Sequence, residues 1–135
     1  MFGNLPPFGS ACVIVEEQGR FLVLKRPEGT TVFPGGFMRW GEIAEETARR
    51  EGKEETGLDL HIERMVSYRS TPTTDLDHMS TLTVFFHARV IGGEPRSSIE
   101  GQPCWLDEAT LRDGLHEFYQ QPFADYLQYR NQASS

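Results

Sequence analysis

Five charged side chains between Gly36 and Leu58 stand at spacings suited to chemistry on phosphate: Glu42, Arg50, Glu51, Glu54 and Glu55. They follow a loop that carries Gly35, Gly36 and Gly41. At about 100° per helical residue, Glu51, Glu54 and Glu55 share one side, with the small residues Ala44, Ala48 and Gly52 on or beside it. Glu46, Arg49 and Lys53 fall roughly opposite. Small residues mark the side that approaches the protein body, and Lys with Arg marks the side facing water. The three carboxylates are therefore expected to line a cleft. Two like-charge pairs, Glu51–Glu54 and Glu51–Glu55, each cost about 0.2–0.5 kcal/mol, and Gly52 costs roughly 1 kcal/mol relative to Ala. A divalent cation would reverse the local field and remove the repulsion. Hard cations such as Mg²⁺ take oxygen ligands and keep several waters. Carboxylates plus a backbone carbonyl from a glycine loop meet that need. The competing reading is a solvated helix tied by Glu45–Arg49 and Glu46–Arg50 pairs, whose spacing is favourable.

The elements that must position these groups follow from patterning. Ser10 to Val15 and Arg20 to Arg26 read as a strand pair joined by a turn at Glu16 to Gly19. Thr30 to Phe33 is a short extended piece ended by Pro34, and Gly35-Gly36 allows a sharp bend with positive φ. Ile43 to Thr56 is expected to be a helix, without a Ser/Thr capping box, stopped by Gly57. Leu58 to Arg69 reads as a strand with an irregular tail, Ser70 to Met79 as a polar loop, and Ser80 to Ile91 as a strong strand. Gly92 to Gly101 is a loop, Pro103 to Leu106 a short strand, and Asp107 the N-cap of a short helix. Phe118 to Tyr129 is expected to be helical, broken or started near Pro122. This order predicts one α/β (α+β) domain over residues 1–135, a mixed sheet with helices packed on it. It has an irregular arm at 1–9 and a C-terminal helical segment at 113–135.

Net charge is −7, which argues against a broad nucleic-acid surface, since that requires clustered Lys and Arg. It leaves room for a small phosphorylated substrate bridged to carboxylates by metal. The two cysteines, Cys12 and Cys104, form no metal-binding or redox pattern and read as buried free thiols. No apolar run approaches a membrane span. The first residues lack the basic and apolar regions of a signal peptide, so a cytoplasmic location is the expectation. The apolar arm and the aromatic C-terminal helix each suit either a homodimer interface or the monomer's own core.

The spacing from Gly36 through Glu42, Arg50-Glu51 and Glu54-Glu55 to Gly57-Leu58 resembles the Nudix box, with eight specified positions over 23 residues in agreement. One position departs: Gly52 stands where that family usually has an aliphatic residue. Phe33-Pro34-Gly35-Gly36 resembles the family's entry to the box. Glu100 before Gly-Gln-Pro, with Trp105 beyond, resembles the late acidic ligand and final strand of MutT-like members. The likeness spans roughly residues 10 to 112 and implies an α/β/α sandwich. It also implies a metal-dependent hydrolase that cleaves a nucleoside diphosphate linked to another moiety by water attack on phosphorus. Glu51, Glu54, Glu55 and the Gly36 carbonyl would bind Mg²⁺ or Mn²⁺, with Glu100 a further ligand. Arg50 would orient a box carboxylate, and Glu51 or Glu55 would take the water's proton. Glu42 would support the loop, join the metals, or simply face the helix dipole.

Substrate contacts are expected from Arg26, at a strand end near the site, from Phe37, and from His78 in the polar loop. Trp40 and Tyr68 are further aromatics that could stack on a base. Pro72 points toward ADP-ribose and the Glu-Gly-Gln-Pro run toward nucleoside triphosphates, so the cues divide. A non-catalytic nucleotide sensor and a structural cation-binding protein are the competing functions. Loss of box carboxylates would mark the sensor, and all of them are present.

Overall fold

Strand β1 (Phe8–Glu17) runs through the middle of the molecule. Its residues Ala11, Cys12, Val13, Ile14 and Val15 are all buried, as expected of a strand covered on both faces. The computed structural model describes residues 6–72 and 80–133. A tight turn with positive φ at Gln18 and Gly19 returns the chain as β2 (Arg20–Lys25). β1 and β2 pair only beside that turn, at Glu16–Phe21 and Glu17–Arg20. Beyond it they splay. β3 (Thr31–Val32) stays with β2, while β4 (Gly35–Phe37) takes the vacated edge of β1. On the other edge of β1, β6 (Thr81–Gly93) runs parallel and β5 (Leu58–Thr71) completes the sheet antiparallel to β6. β7 (Gln102–Asp107) pairs with β2.

Helices cover both faces of this mixed sheet, giving the α+β sandwich expected. Alternate residues of β1 feed the two cores, as the period of a strand requires. Ala11, Val13 and Val15 pack with Ala48 of α1 (Ala44–Thr56) and with Leu22, Leu60 and Phe86. Cys12 and Ile14 pack with Phe21, Phe33 and Phe85 under Leu111 of α2 (Glu108–Gly114) and Phe123 and Tyr126 of α3 (Gln120–Ala133). Side chains tie α3 down: Tyr126 Oη donates to Glu16 Oε1 at 2.8 Å, Arg130 Nη1 donates to Glu16 Oε2 at 2.9 Å, and Ser67 Oγ donates to Asp125 Oδ2 at 2.6 Å. A 3-10 turn, Glu117–Tyr119, precedes α3, and its Phe118 and Tyr119 rings pack directly on Phe85 and Phe33 of the sheet side. Among the described residues no helix is long and apolar enough to cross a membrane.

Several boundaries differ from the sequence reading. The arm is shorter, because strand structure begins at Phe8. Ser70 and Thr71 belong to β5, whose pairing with β6 continues through three register shifts. Gly35 and Gly36 form a strand instead of a bend, and neither has positive φ. Glycine is needed there for closeness: a Cβ on Gly35 would sit 2.5 Å from the Ala11 carbonyl oxygen. Positive φ is used at Gly41 and at the helix stop Gly57. Asp107 does cap α2, accepting the Thr110 N–H at 2.8 Å. Cys12 and Cys104 are free thiols, the first buried and the second half-buried.

Gly52 also answers to a close approach. A Cβ there would lie 2.6 Å from Cδ1 of Leu60, which is itself buried beneath α1. Gly52→Ala is therefore expected to lower stability by about 1–2 kcal/mol, despite the gain of roughly 1 kcal/mol in helix propensity. In the Leu60→Val background, which removes Cδ1, the same substitution should become neutral or stabilising. Urea denaturation of the four proteins tests this, and an equal cost in both backgrounds would refute the packing account.

Candidate active site

Arg50 is the hub of the charged helix. Its Nε and Nη2 donate to Glu42 Oε2 and Oε1 at 2.6 and 2.9 Å, a two-pronged pair. Nη1 reaches Glu51 Oε1 at 2.8 Å and Glu54 Oε2 at 3.4 Å, and Nη2 also meets the Phe37 carbonyl at 3.0 Å. The Glu46–Arg50 pair suggested by spacing does not form. Glu46 Oε1 instead accepts the Ile43 N–H at 3.0 Å, so it supplies the glutamate half of a capping box that has no Ser or Thr.

Glu42 is fully engaged. Besides Arg50 it accepts the Arg39 N–H at 2.8 Å and the Thr47 hydroxyl at 2.9 Å. The Arg50 hydrogen bonds, then the Arg39 N–H, hold its carboxyl down at about 2. These contacts place Glu42 as the brace that fixes Arg50 against the glycine loop.

The three box carboxylates are not equivalent. Glu51 lies against the loop backbone: a Cβ on Gly36 would sit 2.5 Å from its carboxyl carbon, so only glycine lets it in. Glu55 is buried and accepts the Gly35 N–H at 2.8 Å. Burial pushes its carboxyl up to about 8, repulsion from Glu51 and Glu100 adds to this, and the Gly35 hydrogen bond and Arg26 pull the other way. Glu54 is exposed and is shared between Arg50 and Arg39, whose Nη2 stands 3.5 Å away. Lys53 faces out and binds the Gly57 carbonyl and Asp59. Glu100, on an exposed loop after β6, is near enough for its charge to act on Glu55.

Among the described residues no three His, Cys, Asp or Glu side chains form a ready-made metal cage. The donor chemistry nonetheless fits a hard cation. Glu51 is pressed onto a glycine backbone, and Glu55 is so short of positive charge that burial and neighbouring acids favour its protonated form.

A cavity of about 260 Å³ opens beside these carboxylates, where β1 and β2 splay. Arg26, Phe37, Ser10 and Thr83 line it, and Phe118 and Tyr119 of the 3-10 turn form a wall. Of the expected substrate contacts, Arg26 and Phe37 are brought to this cavity, and His78 lies outside the described residues. Phe37 is half-exposed and meets Phe8 edge-on at 6.1 Å. Trp40 and Tyr68 are exposed and do not line it. Phe118 and Tyr119 were not anticipated as site residues. Their only sequence signal was an aromatic-rich stretch, which reads equally well as helix core.

A carboxylate-bearing helix laid on a glycine strand, on one face of a mixed sheet, defines the Nudix class of hydrolase. The NUDIX domain model matches residues 6–126, and the chain belongs to that family. It is similar to an ADP-ribose pyrophosphatase of Methanocaldococcus jannaschii, 29% identical over 122 residues, covering 87% of this chain and 72% of that protein. It is also similar to a MutT-like protein of Streptomyces ambofaciens, 29% identical over 119 residues, covering 84% and 74%. A solved NUDIX hydrolase from Nitrosomonas europaea shares the fold, with TM-score 0.79 and 22% identity over 91% of this chain and 90% of that one.

Proposed function

We propose that this enzyme hydrolyses the pyrophosphate linkage of a nucleoside diphosphate joined to another moiety: a nucleoside triphosphate, ADP-ribose or a nucleotide sugar. The carrying observation is the pair of carboxylates set on glycine backbone, Glu51 against Gly36 and Glu55 on the Gly35 N–H, beside a cavity with an arginine in its wall. Glu51, Glu54, Glu55 and the Gly36 carbonyl would hold Mg²⁺ or Mn²⁺, with Glu100 approaching from the opposite loop. Such a cation neutralises charge on phosphate oxygens and makes a bound water acidic.

The chain's own groups do the rest. Arg50, braced by Glu42, positions Glu51. Glu51 or Glu55 accepts the proton of the attacking water. Arg26 meets a phosphate oxygen, and Phe37 covers the nucleoside. His78 joins the substrate contacts on sequence grounds alone.

A panel of nucleoside triphosphates, ADP-ribose, nucleotide sugars and dinucleoside polyphosphates, assayed with Mg²⁺, tests this reading. Glu54→Gln should raise the Mg²⁺ concentration for half-maximal rate by about tenfold or more. Turnover indifferent to Glu54→Gln would refute the metal assignment. Nucleotide binding without turnover of any member would favour the sensor.

A further inference from the structure

Two buried side-chain donors lack a hydrogen-bond partner among the described residues: Nε of Arg26, which lines the cavity, and Nε of Arg69, whose guanidinium lies against Phe118 of the cavity wall. A buried, unpaired donor costs about 1–3 kcal/mol, so one in the cavity wall and a second against that wall point to a ligand that supplies acceptors. Arg26 lines the cavity directly, and its charge is felt by Glu55. It therefore stands at the carboxylate end, where a phosphate belongs.

Arg69 sits elsewhere. On β5 it pairs with Thr83 of β6, which pairs with Ser10 of β1, which pairs with Phe37 of β4. Residues opposite one another in a sheet share a face, so Arg69 lies in one row with three residues that line the cavity. Its guanidinium carbon lies 5.9 Å from the ring centroid of Phe118, which also lines the cavity. Nothing in the sequence reading had marked it.

The lining near Arg69 is aromatic and hydroxyl-bearing. Phe118 and Tyr119 form the wall, and the Ser10 and Thr83 hydroxyls bond to each other at 2.5 Å. With its hydroxyls mutually satisfied, this end suits a flat ring better than a second phosphate. A guanidinium donates and never accepts. It matches a ring edge that presents a carbonyl oxygen, as O6 of guanine and O4 of uracil do, and opposes the exocyclic amino groups that adenine and cytosine carry at the same place.

We propose that Arg69 is a specificity-determining residue that reads an oxo edge of the substrate's nucleobase, so that the enzyme prefers guanine and uracil nucleotides over adenine and cytosine nucleotides. This rests on the hydrolase reading above, and it separates two arginines by task, Arg26 for phosphate and Arg69 for the base.

The test compares kcat/KM for the four bases on one phosphate chain, triphosphate or diphosphate-linked sugar, whichever is turned over. The wild type should favour the oxo bases by about 10-fold to 100-fold. Arg69→Met should collapse that ratio toward unity, whereas Arg26→Met should lower all four nucleotides together and keep the ratio. If Arg69→Met does not fold, Arg69→Lys, which keeps the charge and loses the planar fork, should lose most of the ratio. A wild-type preference for amino bases, or an Arg69 variant that lowers all four equally, overturns the proposal. Absence of turnover on any nucleotide would overturn the hydrolase reading instead. Calorimetric binding of GMP and UMP against AMP and CMP, to wild type and Arg69→Met, would then still decide the role of Arg69, and equal affinities would refute it.

Discussion

Glu55→Gln should cut kcat by about a thousandfold or more and yet make the metal-free protein more stable above neutral pH. Glu55 is 5% exposed, and among the described residues the hydrogen bond it receives, from the Gly35 N–H, is neutral. Burial, reinforced by Glu51 and Glu100, raises its carboxyl to about 8, against about 4.3 in an unfolded chain. Between those values the unfolded chain has released the proton while the folded one keeps it, so stability falls as pH rises. This contribution is fully present below about pH 4.3 and is lost as pH climbs through 8. A glutamine keeps the acceptor for Gly35 and has no charge to bury. In EDTA at pH 8.5 the variant should therefore exceed the wild type by roughly 2 kcal/mol, and the two should converge near pH 4. Mg²⁺ should shift the order back toward the wild type, which as the bearer of one more carboxylate ligand would gain more by binding it. Thermal melting with and without Mg²⁺ across this range decides the matter. A variant less stable than wild type at pH 8.5 in EDTA would mean that Glu55 is held ionised by its surroundings.

What the sequence disclosed, and what it hid, follows from the range of the forces involved. The helix at 44–56 and its stop at Gly57 were legible because periodicity and capping act over a few residues. The β1–β2 hairpin was legible for the same reason. β4 was not, since Gly35-Gly36 reads locally as a bend, and the need for glycine comes from Ala11 on one side and Glu51 on the other. Gly52 is a similar case, its partner Leu60 lying on the strand after the helix. The carboxylates were legible through their spacing, but their unequal burial was not: Glu55 is enclosed while Glu54 faces water. The cavity was the least legible feature. Its wall joins strand ends, a glycine strand and a 3-10 turn that only tertiary packing brings together. Arg69 shares its row with Phe37 through three strand pairings, and no local pattern encodes that.

Arg50→Lys, conservative in charge, should be severe in effect. Arg50 uses its planar fork in two directions at once, gripping both oxygens of Glu42 while Nη1 holds Glu51 at 2.8 Å. A lysine carries its donors on a single point and cannot span those acceptors. Glu51 would then be free to leave its place over Gly36, and a shift of about 1 Å in a reacting group can cost about 100-fold in rate. The expected result is a fall in kcat of about 100-fold with KM little altered, since the Arg50 donors are taken up by Glu42, Glu51, Glu54 and the Phe37 carbonyl. Glu42 gives a second readout. With Arg50 beside it, its carboxyl titrates near 2 when folded, against about 4.3 unfolded. The stability it contributes is present above about pH 4.3 and is lost as pH falls through 2. Arg50→Lys should shrink this acid-sensitive part of the unfolding profile, and Glu42→Gln should remove it while also lowering kcat, since Arg50 loses its brace. Urea unfolding at pH 7 and pH 3 separates these contributions, and steady-state kinetics at pH 7 measures the orientation. If Arg50→Lys turned over at the wild-type rate, Glu51 would be seated by Gly36 alone, and the fork would be a feature of stability rather than of catalysis.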